Sequence, residues 1–212
     1  MPRLNQSATE DIRLTLAVTG ASGSIFAAEI LRALDANPRV THIDFIPSEA
    51  SLRVFAEELQ ISGRAAIIEK LLGPQATPSK ITHHTEADIG ASIASGSFPS
   101  DGMIVLPCSM GTLAGIANGL ASNLIERAAD VTLKERRPLI LCVRETPFNL
   151  IHIRNMAAAT EAGATIYPLI PTFYNHPQTI DDIARNFVHR VLQHIGLPQP
   201  GAFQWGVANS EL

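Results

Sequence analysis

Leu14-Thr15-Leu16-Ala17-Val18-Thr19-Gly20-Ala21-Ser22-Gly23-Ser24 is the stretch whose reading decides the fold. Residues 14–18 form an apolar run of strand length, residues 19–23 a turn of small side chains, and residues 24–34 an apolar-periodic helix. A strand that passes through a glycine turn straight into a helix is the first half of a parallel crossover. The same alternation continues along the chain. Strands are predicted at 42–46, 102–106, 138–143 and 165–167. Helices are predicted from the N-cap Ser48 to residue 59 and over 111–117, 123–133, 150–162 and 179–195. Asp181 and Asp182 in the first turn of the last helix, and His194 in its last, suit the helix dipole. Residues 61–79 are less regular, with a short helical piece over 66–72, and the small, polar residues 94–100 are expected to form a mobile loop.

These elements make an α/β fold: a doubly wound, mostly parallel sheet of Rossmann-like or flavodoxin-like type, with helices on both faces. A single domain is expected over residues 12–198, between a flexible N-terminal tail (1–11) and a C-terminal tail (199–212). The 212 residues suit one domain with a full core. Sixteen basic against twenty acidic side chains leave a net charge of −4, which argues against a general nucleic-acid binder. Two cysteines, Cys108 and Cys142, lie in apolar runs and read as buried, reduced thiols, which fits a cytoplasmic setting. No apolar run is long enough for a membrane span, and residues 1–11 lack the apolar core of a signal peptide.

In a doubly wound sheet, ligands bind beyond the carboxyl ends of the strands. The polar residues there are Gly20-Ala21-Ser22-Gly23, Ser48, the run Ser109-Met110-Gly111-Thr112, and Arg144-Glu145. Glycines, hydroxyls and an arginine at four strand ends suit a ligand that carries a phosphate. A dehydrogenase-type dinucleotide site is not expected. Phe26 stands where a further glycine would be needed, and no Tyr-x-x-x-Lys pair exists, since Pro171 and Gln178 follow Tyr167 and Tyr174 at that spacing. The Gly-Lys-Ser/Thr end of a Walker A loop is also missing. The charges of Arg127, Lys134, Arg136 and Arg137 alternate with Glu126, Asp130 and Glu135, the pattern of a solvated or interface helix. Arg144 differs because it follows an apolar strand at the ligand end of the sheet. Cys108 reads as a structural thiol, and no metal site is expected, because His83 and His84 would point to opposite sides of a strand.

Taken together, these turns resemble the UbiX flavin prenyltransferases. The resemblance is carried by Thr19-Gly20-Ala21-Ser22-Gly23, by Ala94-Ser95-Gly96-Ser97 and by Leu106-Pro107-Cys108-Ser109-Met110-Gly111-Thr112-Leu113. It continues through Asn123-Leu124-Ile125-Glu126-Arg127-Ala128-Ala129-Asp130 and Leu133-Lys134-Glu135-Arg136-Arg137-Pro138-Leu139 to Val143-Arg144-Glu145-Thr146-Pro147, and ends with Phe173-Tyr174-Asn175-His176-Pro177-Gln178 and Arg190. The match spans residues 13–205. It implies a metal-independent enzyme joining the dimethylallyl group of dimethylallyl monophosphate to N5 and C6 of reduced FMN, with the prenylated FMN passing to a UbiD-type decarboxylase.

The family's roles then fall on particular residues. FMN would be held by Gly20, Ala21, Ser22, Ser48, Ser109, Met110, Gly111, Thr112 and Arg144. The substrate phosphate would be gripped by Arg127, Lys134, Tyr174 and Arg190, with these groups reaching one site from different subunits of a homo-oligomer, a dodecamer in the family. Ser22, Glu58 and Glu145 would handle protons, and Trp205 matches a family tryptophan near the C-terminus. Two departures stand out: Phe26 where relatives often carry tyrosine, and Glu49 where several carry lysine. Alternatives within the wider fold are an FMN-dependent cysteine-type decarboxylase and a non-catalytic flavin carrier. The first depends on an early histidine, whereas His42 opens a strand at the wrong end of the sheet, and the second leaves Lys134, Tyr174 and Arg190 without a purpose.

Overall fold

The structure, a computed structural model, describes residues 11–64, 67–73 and 80–203. In chain order the elements are β1 (Ile12–Val18), α1 (Ser24–Ala36), β2 (Val40–Pro47), α2 (Glu49–Leu59), α3 (Ile67–Leu72), β3 (Ile81–His83), β4 (Gly102–Cys108), α4 (Met110–Ala117), α5 (Leu124–Lys134), β5 (Leu139–Val143), α6 (Leu150–Glu161), β6 (Thr165–Ile166) and α7 (Ile180–Ile195). The six strands are all parallel, in the order β3-β2-β1-β4-β5-β6. The order reverses between β1 and β4, so the crevice beyond their carboxyl ends is where such a sheet takes ligands.

Alternation along the strands divides the core in two. Leu14, Leu16 and Val18 of β1, with Ile43 and Phe45 of β2, face α1, α2, α3 and α7. Ala17, Met103, Val105, Leu139 and Leu141 face the opposite layer of α4, α5 and α6. Phe26 packs edge-on against Phe187 at 5.3 Å between centroids, locking α1 to α7. Phe26, one of the two departures from the family pattern, is thus part of the core.

The helix starts follow from capping chemistry. Ser48, Ser109, Asn123, Asn149 and Thr179 each accept from the third N–H of the helix that follows, which satisfies one donor the helix cannot use itself. The predicted elements recur with ends shifted by no more than two residues. β3 was not predicted from pattern: its three residues form a strand only through pairing with β2. Residues 94–100 are not the expected mobile loop. Ser92–Ala94 forms a 3-10 turn, and Arg127 Nε and Arg137 Nη2 donate to the carbonyls of Ala94 and Gly96 at 3.1 and 2.9 Å. Trp205 lies outside the described residues.

Phe55, fully buried, ties α2 to the first core layer, one turn before Glu58. Phe55→Ala is expected to cost about 3–5 kcal/mol. A thermal melt should register this as a fall of roughly 6–20 °C for a domain of this size. A fall below about 2 °C would mean that α2 is held by something other than this side chain.

Candidate active site

Thr19 is the knot of the site. Its hydroxyl donates to the Pro107 carbonyl at 2.9 Å and accepts from the Ser109 N–H at 2.7 Å. The ends of β1 and β4 are thereby joined. Ser48 N–H donates to the Val18 carbonyl at 2.9 Å, and Arg144 N–H to the Cys108 carbonyl at 3.0 Å, which brings in the ends of β2 and β5. The four strand-end segments predicted from sequence therefore converge in one chain. Gly20 is required by close approach, since a Cβ there would lie 2.5 Å from Ala50 Cβ. Gly23 adopts φ +127, a conformation that side chains disfavour.

The start of α1 is expected to face an anion, and it does so within the chain itself. Gly23 has no side chain to cap the helix, and Glu58 reaches across from α2 instead. Its carboxylate accepts from Gly23 N–H at 3.0 Å and from Ser24 N–H at 2.7 Å. Burial alone would push the Glu58 carboxyl up. Hydrogen bonds from the Ser22 hydroxyl, the Ser24 and Gly23 N–H groups and the Ser24 hydroxyl outweigh it and hold the carboxyl below its ordinary value. Glu58 is therefore a carboxylate at neutral pH. Gly20, Ser22, Glu49 and Glu58 line one hollow of about 950 Å³ along α2.

Ser48 and Ser109, both predicted ligand contacts, also cap α2 and α4, accepting from Ser51 N–H at 3.0 Å and Thr112 N–H at 3.3 Å. The Ser109 and Thr112 hydroxyls also bond to each other at 3.1 Å, so one hydroxyl proton of that pair is spent between them. Over Gly111 an added Cβ would meet nothing within 4 Å, so the first turn of α4 is open there, and Arg144 is exposed at the end of β5. Met110 is buried beneath it and Ala21 under the first turn. An open helix start, an exposed guanidinium and two serine hydroxyls form a donor set that fits a phosphate-bearing ring compound such as FMN. Glu49 brings no loose negative charge, because its carboxylate pairs with Arg64. Glu86, which sequence reasoning missed, accepts from Glu49 N–H at 2.9 Å and passes its own carbonyl to Leu124 N–H at 2.7 Å. No local pattern announces such a loop residue.

The four predicted phosphate contacts do not meet in one chain. Tyr174 and Arg190 share a hollow of about 580 Å³ on α7. Arg127 and Lys134 sit on α5, across the sheet. Arg127 pairs with Asp130 at 2.7 Å and Lys134 with Glu135. Lys134 ends α5, which returns the chain to the start of β5, so its ammonium lies at the amino edge of the sheet. Glu145 is exposed at the strand-end edge and accepts from Thr146 N–H at 2.9 Å. Cys108 is fully buried, and burial pushes its thiol up to about 12, which suits a structural thiol and not a nucleophile.

A family model described as Flavoprotein matches residues 3–192. The chain belongs to the Flavoprotein family. Within it, the UbiX flavin prenyltransferases are its near relatives. It is 44% identical over 189 residues to the flavin prenyltransferase UbiX of Salmonella typhimurium, covering 89% of this chain and 94% of that one. Among solved structures, a dodecameric FMN-dependent UbiX-like decarboxylase from Escherichia coli O157:H7 superposes with TM-score 0.82 at 42% identity, covering 92% of this chain and 99% of the other. AnUbiX (PadA1), solved in complex with FMN and dimethylallyl pyrophosphate, also gives TM-score 0.82, at 36% identity, with coverage of 93% and 99%.

A carboxyl whose folded pKa lies below its unfolded value stabilises the fold above the unfolded value and ceases to as pH falls through the folded one. Glu58→Gln should therefore lower stability against urea at pH 7. The gap to the unsubstituted protein should shrink as pH drops below the ordinary carboxyl value of 4.5. A gap independent of pH between 7 and the acid limit would show that the α1 cap does not need the charge.

Proposed function

We propose that this chain is a flavin prenyltransferase that transfers the dimethylallyl group of dimethylallyl monophosphate to N5 and C6 of reduced FMN. The observation that carries the reading is the convergence of Gly20, Ala21, Ser22, Ser48, Ser109, Met110, Gly111, Thr112 and Arg144 at one edge of a sheet that matches UbiX relatives over nearly their whole length. Those residues would hold FMN, with the open start of α4 and Arg144 as its donors. Reduced FMN, when bound, supplies the two ring atoms to which the prenyl unit becomes joined.

The work left to the protein is electrostatic. As the prenyl C1′–oxygen bond breaks, negative charge gathers on the departing phosphate, and fixed cations with a phenol hydroxyl stabilise it best where water is excluded. Arg190 and Tyr174 would supply this from one copy and Lys134 with Arg127 from another, in a homo-oligomer of the dodecameric kind seen in the Escherichia coli relative. Glu58, held as a carboxylate and bonded to Ser22, would take a proton through that hydroxyl. Glu145, exposed at the same edge as Arg144, is the second proton-handling candidate. The prenylated flavin would then be handed to a UbiD-type decarboxylase.

Anaerobic incubation with reduced FMN and dimethylallyl monophosphate, followed by mass spectrometry of the extracted flavin, tests the reaction. A flavin heavier by one dimethylallyl unit is expected, with the rate reduced roughly 10²-fold or more in Arg190→Ala. Flavin recovered unmodified from protein that binds it tightly would contradict the transferase reading. Carbon dioxide release from a carboxylated substrate by the protein alone would favour a decarboxylase instead.

A further inference from the structure

The hollow on α7 holds more than the two residues a phosphate grip requires. Besides Tyr174 and Arg190 it is lined by Thr172, Asn175, Asn186 and Gln193. We propose that Gln193 is a positioning residue that fixes the Arg190 guanidinium for the substrate's phosphate, within a collar of neutral amides completed by Asn175 and Asn186. This rests on the reading of Tyr174 and Arg190 as phosphate contacts.

Gln193 lies one turn beyond Arg190 on α7, at the spacing that lets helical side chains meet. Arg190 Nη1 donates to Gln193 Oε1 at 2.6 Å. Arg190 is exposed, and a free arginine loses much side-chain freedom when it is ordered on a ligand. An amide that already holds one edge of the guanidinium reduces that loss and leaves the other N–H groups directed at the hollow. An amide also differs from a carboxylate in keeping the charge intact. Arg127 and Lys134 are each paired with a carboxylate, whereas among the described residues Arg190 meets no acid. Asp182, which lines the neighbouring hollow, is already committed to Thr179 and Arg185. The hollow therefore keeps a net positive charge surrounded by neutral donors and acceptors, the arrangement that favours a small anion. Asn175, a further amide of the lining, has its Oδ1 buried with no hydrogen-bond partner among the described residues.

The test compares Gln193→Glu, Gln193→Met and Arg190→Ala. KM and kcat for dimethylallyl monophosphate are measured anaerobically with reduced FMN, and the calorimetric affinity for dimethylallyl monophosphate is measured in air. Gln193→Glu places a carboxylate on the guanidinium and should raise KM and the calorimetric Kd on the order of tenfold, with kcat within about twofold. Gln193→Met, which keeps the bulk but loses the acceptor, should raise both by a smaller factor. Equal losses of kcat and affinity together with a lowered melting temperature would make Gln193 merely structural and overturn the proposal. An unchanged KM in both Gln193 variants, beside a raised one in Arg190→Ala, would also overturn it while leaving the phosphate site standing. An unchanged KM in Arg190→Ala as well would remove the phosphate site and the collar with it.

Discussion

The Glu58 carboxylate on the first N–H groups of α1 is the contact on which the ligand edge of the molecule depends. A glycine turn is needed after β1 because Gly20 touches α2 and Gly23 turns the chain, yet a glycine cannot cap the helix it begins. The unfilled donors would favour any anion. Glu58 meets them from the neighbouring helix, and in doing so fixes α2 against the turn, orients Ser22 and remains ionised. One ion thus closes a helix, spaces two elements and sets a negative charge beside the strand ends. Glu86 does the same for the start of α2, so two of the helix starts around the site are held by carboxylates from elsewhere in the chain.

The strand-end residues were legible in sequence because a parallel sheet sends every strand to the same edge, and small, hydroxylic residues after apolar runs mark that edge. The cap Ser48 was legible for the same local reason, whereas Ser109 and Asn123 were not read as caps. What escaped depends on partners distant in sequence. β3 exists only through β2, and the segment 94–100 looked mobile because its anchors, Arg127 and Arg137, lie on α5 and just beyond it. Ser109, read only as a ligand contact, turns out to carry a structural hydrogen bond as well. Glu49, which departs from the lysine several relatives carry, has Arg64 beside it, a partner distant in sequence.

The phosphate contacts teach a different lesson. A resemblance assigns Arg127, Lys134, Tyr174 and Arg190 to one task, but a single chain holds them on two faces of the sheet. α5 ends at the amino edge and α7 covers the other layer, so no side-chain motion within the fold closes that gap. The reading of one phosphate site therefore requires that copies of the chain meet, each lending what the other lacks. Exposed Phe148, Leu150, Ile151 and Ile153 at the start of α6 are apolar surface of the sort that such contacts bury.

Mixing two inactive variants tests that central claim most directly. Arg190→Ala and Lys134→Ala chains, co-expressed in equal amounts and purified as one assembly, would be assayed for flavin prenylation. If the two residues reach each site from different copies, roughly a quarter of the sites regain both, and activity should return to about that fraction of the unsubstituted assembly. If activity stays at the level of the separate variants although the chains have mixed, both residues serve the site from one chain. That result would contradict the account.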